Sequence, residues 1–253
     1  MILHTEITGQ GQAIVLIHGL FGSYENLGVI ARALAGHWQV VNLDMRNHGR
    51  SDWQDTMSYA LMAEDIKDTL DHLGLDKVAL LGHSMGGKIS MEFALRYPQR
   101  VNKLILADIS PVQNRPRHLE ILSALDSIDL SNLQSRQQAD QQLALSIAET
   151  GVRQFLLKSL YKEDERFRWR FNIKALIANY QQLLEAPPSK GPYTGPTLFI
   201  KGAESDYLLP EHQSLIQQLF PQSKAKVIMG TGHWLHAEKP VAFAKIVTDF
   251  LLS

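Results

Sequence analysis

Val78-Ala79-Leu80-Leu81-Gly82-His83-Ser84-Met85-Gly86-Gly87-Lys88 decides how this chain is read. A short apolar run, a glycine-rich turn and a helical pattern from Lys88 to Tyr97 predict a strand, a sharp bend and a helix. In that setting G-x-S-x-G has a physical meaning. Gly82 and Gly86 leave room for Ser84 to take a strained backbone and present its hydroxyl outward. A lone serine hydroxyl is a poor nucleophile, so this reading requires a base, a group that orients the base, and donors for a developing oxyanion.

The base that fits is His233, in Gly230-Thr231-Gly232-His233-Trp234 after a late apolar run, which gives the chain order Ser, Asp, His. His4 precedes the first strong strand. His37, His72, His118 and His212 stand in polar, helix-like surroundings, His236 is expected to face away, and His18, His48 and His83 belong to other motifs. Two carboxylates compete for the orienting role. Asp108 follows Leu104 to Ala107, and Asp206 follows Thr197 to Ile200, although the spacing from Gly202 brings Ser205 to that position instead. For the oxyanion, the turn His18-Gly19-Leu20-Phe21-Gly22-Ser23 can aim the backbone N–H of Leu20, and Met85 offers a second at a helix N-terminus. His18 and the stretch Asp44 to Ser51 are expected to brace these loops.

Working outward, Ala13 to Ile17, Val40 to Leu43, Val78 to Leu81 and Leu104 to Ala107 are compact apolar runs that stop at Gly, His or Asp. Such runs, separated by helix-length segments such as the amphipathic Ser58 to Leu73, predict a mostly parallel sheet with helices on both faces. Functional groups then gather at the strands' C-terminal ends. Strands Thr197 to Ile200 and Lys226 to Met229 and a helix over Val241 to Leu252 resume the pattern. The interval carries helical patterns at Leu119 to Leu125, Gln137 to Glu149, Val152 to Tyr161 and Ile173 to Leu184. It is bounded by Ser110-Pro111 and by Pro187-Pro188, Gly191-Pro192 and Gly195-Pro196. We therefore expect a core of residues 1–110 and 196–253, and a helical cap at 111–195. Within that cap Arg166, Arg168 and Arg170 alternate with Phe167, Trp169 and Phe171, which would give one basic and one apolar face.

Composition narrows the function classes. The 253 residues are 45% hydrophobic and 20% charged, ordinary for a globular domain, with a net charge of -1 that gives no field for nucleic acid or an anionic membrane. The lack of cysteine removes disulfides, thiolate metal sites and a cysteine nucleophile together. Met1 to Gln12 has no signal-like pattern and no segment has the roughly 20 apolar residues of a membrane span, so a soluble, cytoplasmic protein is expected. Nothing in the sequence points to an oligomeric state.

With these segments in place, the chain resembles the α/β-hydrolase superfamily and, within it, the YbfF-type bacterial esterases and related mitochondrial α/β-hydrolase-domain proteins. The resemblance is carried by HGLFGSYENLG, DMRNHGRS, GHSMGGK, ADISPV, the VRQFLLKSL run with WRFN, and GHWLHAEKP. It implies the α/β-hydrolase fold with a helical cap, serine hydrolase activity on short acyl esters or acyl-CoA thioesters, and no metal or organic cofactor. It also implies that the acid follows the earlier strand, which favours Asp108, with Ser205 as a further polar partner. The presence of Asp206 beside Ser205 keeps the other acid open. The arginine stripe has two readings, a dock for a phosphate-bearing substrate and, favoured over it, a solvated strand edge whose aromatics pack into the cap. Perhydrolases and carbon-carbon bond hydrolases reuse the same constellation, and some proteins of this fold act as ligand receptors. Haloalkane dehalogenases and epoxide hydrolases need a carboxylate where this chain has Ser84.

Overall fold

In a computed structural model describing residues 1–189 and 191–253, the strands run β1 (Thr5–Thr8), β2 (Ala13–Ile17), β3 (Gln39–Leu43), β4 (Val78–His83), β5 (Val101–Ala107), β6 (Leu160–Glu163), β7 (Arg166–Trp169), β8 (Thr197–Gly202) and β9 (Ser223–Ile228). Seven of them form one sheet in the order β1-β3-β2-β4-β5-β8-β9, and β6 pairs only with β7. Every pairing in the large sheet is parallel except β1 with β3. The apolar runs at β2 and β4 are buried along their whole length, as strands covered on both faces must be. β1 escapes a search for apolar runs because it is an antiparallel edge strand, half-buried at Thr5 and Glu6 and exposed beyond.

Register is what positions the functional residues. Ile17 lies opposite Gly82, Gly82 opposite Leu106 and Leu106 opposite Phe199, so the residues that follow β2, β4, β5 and β8 emerge along one edge.

Two apolar layers hold the sheet. Val15, Ile17, Leu80 and Leu104 point toward α2 (Tyr59–His72) and α3 (Met85–Arg96), meeting Met62, Ile66, Ile89 and Phe93. Ile14, Leu16, Leu81 and Ile105 point the other way, toward Ile30 and Leu34 of α1 (Gly28–Leu34) and Phe243 and Val247 of the C-terminal helix. Each such side chain contributes roughly 1.5–3 kcal/mol by leaving water. At the start of α2 the Ser58 hydroxyl accepts from the Leu61 N–H. The helix ends where Gly74 takes a φ of 66°.

Between β5 and β8 the chain forms α4 (Leu119–Ser127), α5 (Arg136–Leu143), α6 (Thr150–Leu157), α7 (Ile173–Ala178) and α8 (Tyr180–Leu184), together with the β6–β7 hairpin. The hairpin corrects the reading of Val152 to Tyr161 as one helix. Asp164 and Glu165 both have positive φ, 45° and 65°, the two-residue turn that suits twisted strands, and it pairs Leu160 with Trp169. The Arg/aromatic alternation is thus a true strand alternation: Phe167 and Trp169 are buried, and Arg166 and Arg168 exposed. The single helix read over Ile173 to Leu184 breaks at Asn179, whose amide donates to the Asp55 and Ala175 carbonyls and accepts from the Met57 N–H. α9 (Gln213–Leu219), α10 (Leu235–Glu238) and α11 (Pro240–Leu252) complete the chain.

Candidate active site

Ser84 joins β4 to α3 with φ 55° and ψ −117°, a conformation that a residue with a side chain adopts only under constraint. Close contacts at both glycines supply it. A Cβ on Gly82 would stand 2.2 Å from the Gly86 carbonyl oxygen, and one on Gly86 2.2 Å from the Ile17 carbonyl oxygen. The bend therefore fits only because both positions lack side chains.

The hydroxyl that this bend presents lies 2.9 Å from Nε2 of His233, and Nδ1 of His233 lies 2.7 Å from Oδ2 of Asp108. With Nδ1–H donating to Asp108, Nε2 is free to accept from Ser84. Asp108 is fully buried, with a φ of 51°. It also receives the Gly202 N–H on Oδ1 at 3.0 Å and the Ser205 hydroxyl on Oδ2. Of the two carboxylates left open by the sequence, Asp108 reaches His233 and Asp206 does not. Asp206 is 58% exposed and takes both guanidinium nitrogens of Arg117, which hold its carboxyl below the ordinary range. Ser205 occupies the inward-facing position, so the next residue points out.

The loop after β2 is fixed from several sides. His18 donates from Nδ1 to the Gly19 carbonyl at 2.7 Å and accepts the Met45 N–H on Nε2 at 3.1 Å, a bracing role. His48 Nε2 accepts the Phe21 N–H at 3.3 Å, and the Ser159 hydroxyl donates to the Phe21 carbonyl. Among the described residues the N–H groups of Leu20 and Met85 have no partner, and Met85 begins α3, where the helix dipole favours negative charge. Asp44 accepts the N–H groups of Tyr24 and Arg50, and Arg46 pairs with buried Asp65, so the segment after β3 stiffens the same edge.

His236 corrects the expectation that it faces away. It is buried because α10 turns inward, and its ring centroid lies 4.4 Å from that of His83. His83 in turn lies 4.8 Å from His233 and donates from Nε2 to the His233 carbonyl at 2.9 Å. Burial pushes His18 and His118 down to about 4, His48 and His236 down to about 3, and His83 well below the usual imidazole range. These five are neutral at physiological pH.

Above Ser84 lies a cavity of about 210 Å³ whose walls include Phe21, Ile121, Val152, Phe155, Leu156 and Trp234. Two of its residues illustrate what the sequence does not signal. His118 looked like a polar helix histidine, and Tyr207, which stacks on His233 at 3.9 Å between centroids, carried no local signal. None of Arg166, Arg168 and Arg170 lines this cavity; Arg168 pairs with Glu163 and Arg170 lies over the Tyr161 ring. Among the described residues no three His, Cys, Asp or Glu side chains gather where they could hold a metal, and no helix is long and apolar enough to cross a membrane.

Comparison with known proteins agrees with this fold. A family described as alpha/beta hydrolase fold matches residues 12–240. The chain is 42% identical to esterase YbfF of Escherichia coli, over 94% of this chain and 92% of that protein. It is 40% identical to the mouse (Mus musculus) sn-1-specific diacylglycerol lipase ABHD11, over 94% of this chain and 80% of that one. A solved structure described as a marine microorganism esterase superposes with a TM-score of 0.95 at 39% identity, covering 98% of this chain and 99% of its own.

Proposed function

The chain belongs to the alpha/beta hydrolase fold family, and from that premise we propose that it is a serine carboxylesterase working through a covalent acyl-enzyme on short to medium acyl chains. The observation that carries this reading is the unbroken chain of hydrogen bonds from Ser84 through His233 to Asp108, at 2.9 and 2.7 Å, on a serine held at φ 55°. Attack by Ser84 on the ester carbonyl passes the hydroxyl proton to Nε2 of His233, and Asp108 supports the imidazolium that forms. The carbonyl oxygen, now negative, is received by the N–H groups of Leu20 and Met85. Collapse expels the alcohol, which takes its proton from His233, and water then repeats the sequence on the acyl-enzyme.

The apolar lining suits an acyl chain, and the 210 Å³ volume suits a short one. The names borne by the relatives, an esterase and a diacylglycerol lipase, support ester hydrolysis. A thioester carbonyl would meet the same groups, so acyl-CoA turnover is the natural extension of the reading. Residues 111–195 act as a cap that selects what reaches Ser84. The reading is tested by fluorophosphonate labelling with mass spectrometry, alongside p-nitrophenyl acetate hydrolysis by wild type and Ser84→Ala. Labelling confined to Ser84, with kcat/KM reduced at least about 10⁴-fold in the variant, is expected. A folded protein in which Ser84 stays unlabelled sinks it.

A further inference from the structure

We propose that Tyr207 is a positioning residue for His233, and that Arg117, reaching over from the segment between β5 and β8, holds Tyr207 in place. The proposal rests on the reading of Ser84 and His233 as nucleophile and base. The two hydrogen bonds of the imidazole, to Ser84 and Asp108, both lie in the plane of the ring. They set its direction but resist its tilt only weakly, and hydrogen bonds lose strength as they bend. Resistance to tilt must come from whatever lies against the faces of the ring. Tyr207 covers one face, with centroids 3.9 Å apart and planes inclined by only 16°.

Tyr207 is itself tied down. Its N–H donates to the Ser205 hydroxyl at 3.3 Å and its carbonyl accepts from the Ser110 hydroxyl at 2.9 Å. The guanidinium of Arg117 stands 4.6 Å from the centre of the tyrosine ring. With the imidazole against one face, the guanidinium takes the other, and Asp206 anchors it with a second bond at 2.7 Å. Three successive side chains after β8 therefore serve the base. Ser205 bonds to Asp108, Asp206 holds Arg117, and Tyr207 lies on His233.

Arg117 is the one member of this stack that comes from the segment between β5 and β8. Seating of that segment is thereby transmitted to the base: with Arg117 in place the tyrosine lies flat, and with Arg117 withdrawn its outer face is unsupported. A residue that only lined the cavity would behave differently, since it would change KM and chain-length preference. A positioning residue changes kcat by the same factor for every acyl chain.

The test uses the full-length protein and p-nitrophenyl esters from acetate to octanoate. It follows kcat and KM for wild type, Tyr207→Ala, Tyr207→Phe and Arg117→Ala, and records the low-field proton resonance of His233 Nδ1–H. Tyr207→Ala should lower kcat about tenfold, equally across the series, as expected for loss of one stacked pair. Arg117→Ala, at the surface and therefore without risk to folding, should lower it about threefold. Both should broaden the low-field resonance, and Tyr207→Phe should restore rate and resonance to within about twofold of wild type. Variants that keep kcat and the resonance while KM or chain preference moves overturn the proposal. Failure of wild-type Ser84 to react with fluorophosphonate overturns the esterase reading instead, so the two failures are distinguishable.

Discussion

Phe21, Asn47, Ser84 and Asp108 have φ angles of 63°, 63°, 55° and 51°, and they follow β2, β3, β4 and β5 respectively. Among the described residues of 111–195, only the hairpin residues Asp164 and Glu165 are of this kind. One region stores strain at the end of each successive central strand, at roughly 1–3 kcal/mol per residue, and holds it with buried hydrogen bonds. The other is assembled from helices of five to nine residues, too short to persist alone, with Leu119 56% and Leu145 87% exposed. The attack and proton transfer proposed for Ser84 and His233 need atoms placed to a fraction of an ångström, which sheet register provides. A cavity wall needs only volume, which replaceable leucines and phenylalanines supply.

The sharpest attempt to break this contrast exchanges the two carboxylates. Asp108→Asn should lower kcat/KM on p-nitrophenyl acetate by about 10³-fold or more, by mispairing the imidazole, whereas Asp206→Asn, at the exposed end, should cost less than about threefold. Equal losses would mean that the rigid edge has no privileged acid. Glycines offer a second comparison. Gly86→Ala drives a Cβ into the Ile17 carbonyl and should lower unfolding free energy by about 3 kcal/mol in urea titration. Gly151→Ala, in α6 with open space around it, should raise it by roughly 0.5–1 kcal/mol.

Phe155→Ala enlarges the wall and should shift the kcat/KM ratio of octanoate to acetate esters about tenfold toward the longer chain, with Ser84 labelling unchanged. A last comparison concerns the seam between the two regions. Lys88 of α3 is buried and donates to the carbonyls of Leu184 and Glu185 at the end of α8. Burial pushes its ammonium from 10.5 down to about 7, against the pull of Glu185. Between those values the unfolded chain keeps a proton that the folded chain has released, so this group makes stability rise with pH. The slope is at most about 1.4 kcal/mol per pH unit. Denaturation at pH 7.5 and 9 should show that rise in wild type, and Lys88→Met should flatten it.

The central strands were readable because parallel strands buried on both faces leave uninterrupted apolar runs, and the bend at Ser84 because only glycine-flanked sequences permit it. β1 was not readable, since an edge strand with a single partner needs no such run. The start of β6 reads as a continuation of helix because Leu156, Leu157 and Leu160 also fit a helical period, and although the alternation over Arg166 to Phe171 is legible, the hairpin is not, since its turn, Asp164-Glu165, lacks the usual glycine. At the candidate site, Ser84 and His233 stood out through local motifs. The choice between Asp108 and Asp206 depends on which carboxylate meets a histidine more than a hundred positions or only 27 positions away in sequence, and no local pattern encodes that. Tyr207, Arg117 and the inward-turned His236 were silent for the same reason: their roles arise from pairings across the fold.

The Asp108 carboxylate receives donors from Gly202, Ser205 and His233, which are 94, 97 and 125 residues further along the chain. Closing loops of that length is among the slower steps available to a refolding domain. Until β8 and the His233 loop dock, Asp108 has none of these partners and His233 has nothing to align it. Regain of ester hydrolysis after dilution from denaturant would thus serve as a stopwatch for the arrival of the C-terminal strands, running behind any signal that reports only collapse or helix formation.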